Sequence, residues 1–184
     1  MPSIASHFVV AKLVSKYLHI SSDEFYKGNI LPDIIDRENS HLKVQGAYYD
    51  VPNIKYFYNN LNFQNDLELG YLCHLMLDKY FLEEYLPLNI KNYQEVDPFL
   101  SKKMYNDYTK INYLLVKEFD LDVDYINRIM YDINNVDVKK VKSNLDNINN
   151  KNCSYELECL ELDKYILFLK EVSIKITKTL KEKR

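Results

Sequence analysis

Apolar residues recur along most of the chain with the period of an α-helix. Near the start, successive members of this stripe are three or four positions apart, as they are on one face of a helix. The spacing predicts an amphipathic helix over about residues 4–18, and similar patterns predict helices near 98–118, 122–134, 136–149 and 154–182. The stripe of the first helix consists of His7, Val10, Ala11, Val14 and Leu18. No strand-like alternation persists beyond a few residues, so the fold class is predicted to be all-α, with the whole chain forming a single-domain helical bundle.

Residues that begin and end helices divide the N-terminal part of this pattern. Ser21 and Glu24 have the spacing of a capping box, and they open a short helix that is predicted to end at Gly28. Pro32 and the polar stretch DRENSH that follows it predict an irregular loop over about residues 29–50.

Three further helix starts are visible in the middle of the chain. One helix is predicted to follow Pro52, and a second to begin at the stretch NDLELG. A third begins at DPFLSKK, where Asp97 is the predicted cap and Pro98 lies in the first turn. No internal repeat or linker interrupts this succession.

Composition and charge exclude several classes of partner. The 184 residues are 47% hydrophobic, with a net charge of −3 from 24 Lys and Arg and 27 Asp and Glu residues. This balance gives no basic face for nucleic acid. No stretch approaches the roughly 18 apolar residues of a membrane span, so no transmembrane segment is predicted. Three cysteines (73, 153 and 159) form no CxxC pair, which favours a reducing, cytoplasmic compartment. The oligomeric state is left open.

Residues able to carry chemistry are concentrated in the first half of the chain. All four histidines and all three glycines lie within the first 74 residues. The remaining 110 residues consist of helix-forming sequence with few chemically distinctive positions. Any metal-binding or catalytic motif is therefore predicted within residues 1–86.

The stretch LGYLCHLMLDKYF contains the most informative pair. His74 and Asp78 are four residues apart on a predicted helix, so their side chains share a face. Apolar residues cover nearly all of the remaining surface, as in a helix that is buried on every side. An unpaired carboxylate costs several kcal/mol in such a place, so a cation should accompany Asp78. Gly70, one turn earlier, leaves room for another segment to approach.

Three further residues extend this pair into a candidate metal site. His7 lies on the buried stripe of the first helix, while Asp33 and His41 lie in the predicted loop. Imidazole and carboxylate groups bind zinc and related divalent ions. Together with His74 and Asp78, they are predicted to hold one or two ions, zinc or another divalent metal, with one carboxylate bridging in the two-ion case.

Each of these residues also has a structural interpretation. His7 alone is more typical of a hydrogen-bonded core histidine, Asp33 of a turn or cap residue, and His41 of an exposed loop. An arginine or lysine from another helix could neutralise Asp78. His19, at the end of the first helix, is interpreted as a favourable C-terminal cation rather than a ligand.

The order of GNILPDI, SHL and LGYLCHLMLDKYF resembles the zinc-dependent phospholipase C family, specifically its compact bacterial members, whose fold is related to the S1/P1 nucleases. The resemblance covers roughly the first half of the chain. It implies an all-α fold with a metal cluster at the base of a cleft. By motif position, Asp33, His41, His74 and Asp78 would surround one ion, and His7 with a bridging Asp78 would bind a second.

The leading functional hypothesis is a metal-dependent hydrolase of phosphate esters, most naturally a phosphodiesterase of phospholipase C type. Its substrate would be a small phosphorylated molecule or a phospholipid headgroup, with Asp33 as the catalytic ligand or general base. Arg37 is the sole candidate for a phosphate clamp near the motif.

Two alternatives remain open: a non-catalytic helical protein with a structural or degenerate metal site, and a helical binding module without metal. An HD-type phosphohydrolase is set aside because the chain has no His-Asp dipeptide.

Overall fold

The computed structural model describes residues 1–35, 40–47, 49–90, 99–133, 136–151 and 156–183. These residues are predominantly helical, which confirms the all-α prediction. A short antiparallel ladder joins β1 (Lys43–Val44) to β2 (Val51–Pro52). The helices are α1 (Ile4–Leu18), α2 (Asp23–Ile34), α3 (Ile54–Asn60), α4 (Asp66–Tyr80), α5 (Leu86–Asn89), α6 (Leu100–Glu118), α7 (Val123–Tyr131), α8 (Val138–Asn149) and α9 (Leu162–Lys183), with a π-helical turn at Phe81–Tyr85 between α4 and α5.

The largest difference from the sequence prediction is the length of α2. This helix does not end at Gly28 but continues through Pro32 to Ile34, so Asp33 is helical and the prediction of a loop from residue 29 is wrong. Ile30 and Ile34 are fully buried. Burial of this face against the core stabilises the last turn and outweighs the low helix propensity of glycine and proline.

The start of the last helix also differs from the prediction. Helix α9 begins at Leu162 rather than near residue 154. The buried carboxylate of Asp107 accepts hydrogen bonds from the backbone N–H groups of Glu158, Cys159 and Leu160, at 2.9, 2.8 and 2.9 Å. These bonds satisfy backbone donors outside a helix, so the segment is held as a non-helical anchor on α6. The predicted cap residues Asp97 and Pro98 lie outside the described residues.

Helix α1 is the central element. It packs against α2, α4, α6, α8 and α9, and ten of its fifteen residues are buried. Its N-terminus is capped by Ser3, which accepts a hydrogen bond from the backbone N–H of Ser6. Its C-terminus is closed by His19 in a left-handed conformation, with φ at 55°. Because α1 is buried on most sides, a polar residue on it must find its partners inside the protein.

Two glycines allow α2 and α4 to cross at close range. A Cβ atom at Gly28 would overlap the carbonyl oxygen of Leu67, and one at Gly70 would overlap the carbonyl oxygen of Phe25. The close approach that was predicted at Gly70 is therefore present. The crossing brings the C-terminal half of α2 alongside the middle of α4, where His74 and Asp78 lie.

None of the helices in the described ranges is long and apolar enough to cross a membrane.

We expect Gly70→Ala to lower the free energy of unfolding by about 3 kcal/mol, because the added methyl group forces two packed backbones apart. Urea denaturation followed by circular dichroism measures the change. The matched control is Ser143→Ala on the exposed side of α8, which should alter stability by less than about 0.5 kcal/mol. Equal stability of the two variants would contradict the close crossing.

Candidate metal centre

The structure brings together all five residues that the sequence analysis singled out. His7 comes from α1, Asp33 from α2, and His74 and Asp78 from α4; His41 lies between α2 and β1. Four of them are 0–1% exposed, and Asp33 is 9% exposed. The interpretation of His41 as an exposed loop histidine does not hold. The fourth histidine, His19, is exposed at the C-terminal end of α1, where it was predicted to be a structural residue and not a ligand.

Asp78 lies between three histidines. Its Oδ2 atom is 3.2 Å from Nε2 of His41 and 3.5 Å from Nε2 of His74. Its Oδ1 atom is 3.5 Å from Nε2 of His7. The two oxygens of one carboxylate thus face different histidines, as a carboxylate shared between two ions does.

Asp33 repeats this arrangement from the other side. Its Oδ1 atom is 4.0 Å from Nε2 of His74, and its Oδ2 atom is 4.0 Å from Nε2 of His7. The imidazole rings of His7 and His74 are stacked, with centroids 3.7 Å apart. Two carboxylates therefore enclose a pair of parallel imidazoles.

A backbone contact determines which nitrogen of His74 carries the proton. Nδ1 of His74 lies 2.7 Å from the carbonyl oxygen of Asn29, which can only accept a hydrogen bond. Nδ1 is therefore the donor, and in the neutral ring the lone pair is on Nε2. That lone pair faces the carboxylates and lies 3.3 Å from Nε2 of His41. Nε2 of His41 can donate to this lone pair when it carries a proton, and both nitrogens can serve as metal ligands when it does not.

Several polar atoms of the cluster lack hydrogen-bond partners. Among the described residues, neither ring nitrogen of His7 and neither oxygen of Asp78 meets the geometry of a hydrogen bond. No lysine or arginine in the described part of the chain pairs with Asp78, whose ion-pair contacts are all to histidines. Leaving buried polar groups unpaired costs about 1–3 kcal/mol each and more for a charge. These atoms are therefore available as ligands for a metal ion.

The distances suit a divalent ion of the size of zinc. Ligand atoms about 2.0–2.1 Å from a tetrahedral zinc are roughly 3.3 Å apart. Nε2 of His41, Nε2 of His74 and Oδ2 of Asp78 form a triangle with edges of 3.3, 3.2 and 3.5 Å. These edges match one face of such a tetrahedron, and Oδ1 of Asp33 is the remaining protein oxygen on that side. The ligand atoms of Asp33, His41 and His74 all lie within 4.8 Å of one another.

A second group involves His7. The ligand atoms of His7, His74 and Asp78 also lie within 4.8 Å of one another. Because Nδ1 of His74 already contacts Asn29, His74 has only Nε2 to offer and can bind a single ion. A second ion would therefore depend on His7, Oδ1 of Asp78 and Oδ2 of Asp33. Three protein ligands leave a coordination position open.

Charges within the cluster shift the pKa values of its members. Burial opposes ionisation of Asp78, but the three histidines outweigh it and hold the pKa of Asp78 well below its ordinary value. Burial also opposes protonation of His74, yet Asp78 and Asp33 raise its pKa. For His7, burial and the neighbouring His74 lower the pKa, so this imidazole favours the neutral form in which a metal is bound.

Three residues that were not predicted from the sequence hold the histidines in place: Asn29, Ser40 and Tyr71. Asn29 contacts His74 through its carbonyl oxygen, and in its hydrogen-bonded orientation its side-chain amide donates to the carbonyl of His7 at 2.8 Å. Ser40 Oγ lies 2.7 Å from Nδ1 of His41. The hydroxyl of Tyr71 on α4 donates to the carbonyl oxygen of Ser40. Ser40 precedes the predicted ligand His41, and Asn29 follows Gly28. Their contacts with the histidines arise only where α2 and α4 cross, so the local sequence does not reveal them.

Known protein families, characterised proteins and solved structures were compared with the chain, and none matches it. The resemblance to zinc-dependent phospholipases C therefore rests on the motif residues of the sequence alone.

We expect Tyr71→Phe to weaken zinc binding by about 10-fold or more, because residues that orient ligands typically contribute 10–100-fold to metal affinity. Burial raises the pKa of Tyr71 to about 12, so its hydroxyl remains a donor to Ser40 at neutral pH. Competition with a chromophoric chelator measures the affinity. Tyr131→Phe, on the exposed side of α7, is the control. Unchanged affinity in Tyr71→Phe would show that Ser40 does not position His41.

Proposed function

We propose that this protein is a metal-dependent hydrolase of phosphate esters, with a phosphodiesterase activity of the phospholipase C type. The observation that carries the proposal is the buried cluster of two carboxylates and three histidines, in which each carboxylate lies between histidines and several ligand atoms have no other partner. Paired divalent ions bridged by carboxylate are a recurrent arrangement for attack of water on phosphate esters.

Zinc is the proposed metal. Imidazole and carboxylate donors suit zinc, and a tetrahedral arrangement fits the short distances between them. Other divalent ions that favour imidazole can bind the same donors. The stoichiometry proposed is two ions, one bound by His41, His74 and Asp78, and one by His7, Asp78 and a single oxygen of Asp33, whose other oxygen is left for proton transfer.

A bound divalent ion supplies a Lewis acid that lowers the pKa of water toward ~7 and neutralises charge on phosphate oxygens. The protein's own contribution is positional. Asp78 and His74 are fixed on the buried face of α4, and Asn29 orients the imidazole of His74. Asp33 has the most exposed side chain of the five, at 11%, and it lines a cavity. Its carboxylate is therefore the group placed to accept a proton from water in that cavity.

The proposed substrate is a small phosphate ester or a phosphorylated headgroup. Asp33 reaches a cavity of about 130 Å³, which admits a small group. The candidate phosphate clamp, Arg37, lies outside the described residues. The reaction is proposed to take place in the cytoplasm, since Cys73 is a buried free thiol, as is usual in a reducing compartment.

A second candidate function is a structural metal site without catalysis. The observation that favours it is the burial of four ligands to 1% exposure or less. Structural zinc sites are closed by four protein ligands, whereas catalytic sites keep a position open for water. The two candidates differ at Asp33, which only the hydrolase needs for proton transfer.

We expect the protein purified without chelator to contain between one and two equivalents of zinc, and His74→Ala to contain less than about 0.2, because His74 contacts both carboxylates. Elemental analysis by mass spectrometry measures the content. His19→Asn is the matched control, since His19 is an exposed histidine outside the cluster and asparagine tolerates its left-handed backbone. If the purified protein lacks metal and takes none up on titration, the proposal fails.

We expect Asp33→Asn to lower the rate of bis(4-nitrophenyl) phosphate hydrolysis at saturating zinc by about 10²-fold or more, the usual contribution of a positioned acid–base group. Zinc bound by His41, His74 and Asp78 should remain. Asp124→Asn, on the exposed surface of α7, controls for the loss of a negative charge. A zinc-loaded wild-type protein without activity toward phosphodiesters would favour the structural site instead.

A further inference from the structure

The candidate metal centre adjoins a cavity. Asp33 is the one ligand among the five that lines it. The cavity has a volume of about 130 Å³, enough for several ordered water molecules or a small organic group.

The lining of this cavity combines apolar residues with uncharged polar side chains. It includes Ser3, Thr109 and three asparagines, at 112, 144 and 147. No lysine, arginine or histidine is among its lining residues in the described part of the chain, and the only charged side chain is Asp33. A cavity of this kind does not complement several negative charges. It complements hydroxyl groups, to which amides and hydroxyls can both donate and accept hydrogen bonds.

Asn112 is oriented by a chain of buried hydrogen bonds. The hydroxyl of Tyr165 donates to Oγ of Ser6 at 2.8 Å, and Oγ of Ser6 lies 3.0 Å from Oγ of Ser3. Oγ of Ser3 in turn donates to Oδ1 of Asn112 at 2.7 Å.

These hydrogen bonds leave the side-chain NH2 group of Asn112 available to a ligand. The side-chain oxygen is already an acceptor, and no hydrogen bond to the amide nitrogen of Asn112 is found among the described residues. Asn112 is only 2% exposed and lines the cavity. Its amide group is therefore held at the cavity wall, where a water molecule or a ligand can accept a hydrogen bond from it.

Helix α8 also contributes amide side chains to the wall of the cavity. Asn144 and Asn147 are three residues apart on α8, so they lie on one face of that helix. Both are half-buried. Amide groups from α6 and α8 thus line one small space beside a metal ligand.

We propose that this cavity is the substrate pocket of the metal centre and that it selects phosphate esters of small polyhydroxylated alcohols, with Asn112 donating a hydrogen bond to the bound alcohol or phosphate oxygen. The proposal rests on the proposed function, because the phosphate charge is neutralised by the ions and not by the pocket. It goes beyond that function by assigning the substrate class.

The test compares two ligands that differ only in their hydroxyl groups. Glycerol 3-phosphate and propyl phosphate have the same three-carbon chain and the same phosphate. Isothermal titration calorimetry of the zinc-loaded protein measures the affinity of each. We expect glycerol 3-phosphate to bind at least 10-fold more tightly, because propyl phosphate leaves the amides of the pocket unpaired. Inorganic triphosphate should bind more weakly than glycerol 3-phosphate.

Substitutions in the cavity test whether its asparagines cause the preference for glycerol 3-phosphate. Asn112→Ala should abolish most of the 10-fold difference while zinc content stays unchanged. Asn106→Ala, an exposed asparagine on the same helix, should keep the difference. The double variant Asn144→Ala with Asn147→Ala alters the other wall and leaves the Ser3–Asn112 hydrogen bond intact, so it tests the pocket even if Asn112→Ala does not fold.

Each outcome has a distinct meaning. A preference for glycerol 3-phosphate that is lost in the pocket variants supports the proposal. Equal or tighter binding of propyl phosphate, or tighter binding of triphosphate, overturns it while leaving the hydrolase proposal standing. A preference that survives in all pocket variants overturns the role of these asparagines. Failure to load zinc overturns the proposed function, and with it this inference.

Discussion

The structure depends on how a carboxylate is accommodated at the centre of an apolar helix. Asp78 is fully buried, and three imidazoles lie within 3.5 Å of its two oxygens. A buried charge without compensation would destabilise the fold by several kcal/mol, more than most single contacts contribute. Protonated histidines or bound divalent ions can provide the compensation. The distance of 3.2 Å from His41 is at the long end of the hydrogen-bond range, and the two of 3.5 Å exceed it; all three fall close to the separation of ligands around a metal.

Close packing of backbones makes this arrangement possible. Gly28 and Gly70 let α2 and α4 approach until a methyl group at either position would overlap the other helix. The same approach places the carbonyl oxygen of Asn29 against Nδ1 of His74, which directs the lone pair of that ring toward the carboxylates. The glycines and the site are thus parts of one feature. The backbone of the facing helix occupies the space that each glycine leaves. On α2, this backbone also determines which nitrogen of His74 carries the proton.

The sequence was sufficient for the helical fold class, for the bounds of α1 and for the pairing of His74 with Asp78, because each depends on local periodicity or on the cost of burying a charge. His7, Asp33 and His41 were grouped with that pair by their chemistry as metal ligands and by the resemblance, and the structure brings all five together. It was not sufficient for the end of α2. Gly28 and Pro32 are local signals for a helix end, whereas the burial of Ile30 and Ile34 is a tertiary effect. Asn29, Ser40 and Tyr71 were missed for the same reason, since their roles arise from contacts between α2, α4 and the segment before β1. The resemblance to a phospholipase family remains a prediction.

Burial and reactivity make opposite demands on such a site. Ligands held at 0–1% exposure are well positioned, but a substrate must still reach them. In the proposed hydrolase, Asp33 meets both demands, because it extends from the last turn of α2 between the histidines and the cavity. The turn exists because α2 continues past Pro32. Had the helix ended at Gly28, the carboxylate would lie on a loop with no fixed relation to either the histidines or the cavity. The feature that the local sequence signals least well is therefore the one that links the buried cluster to the cavity.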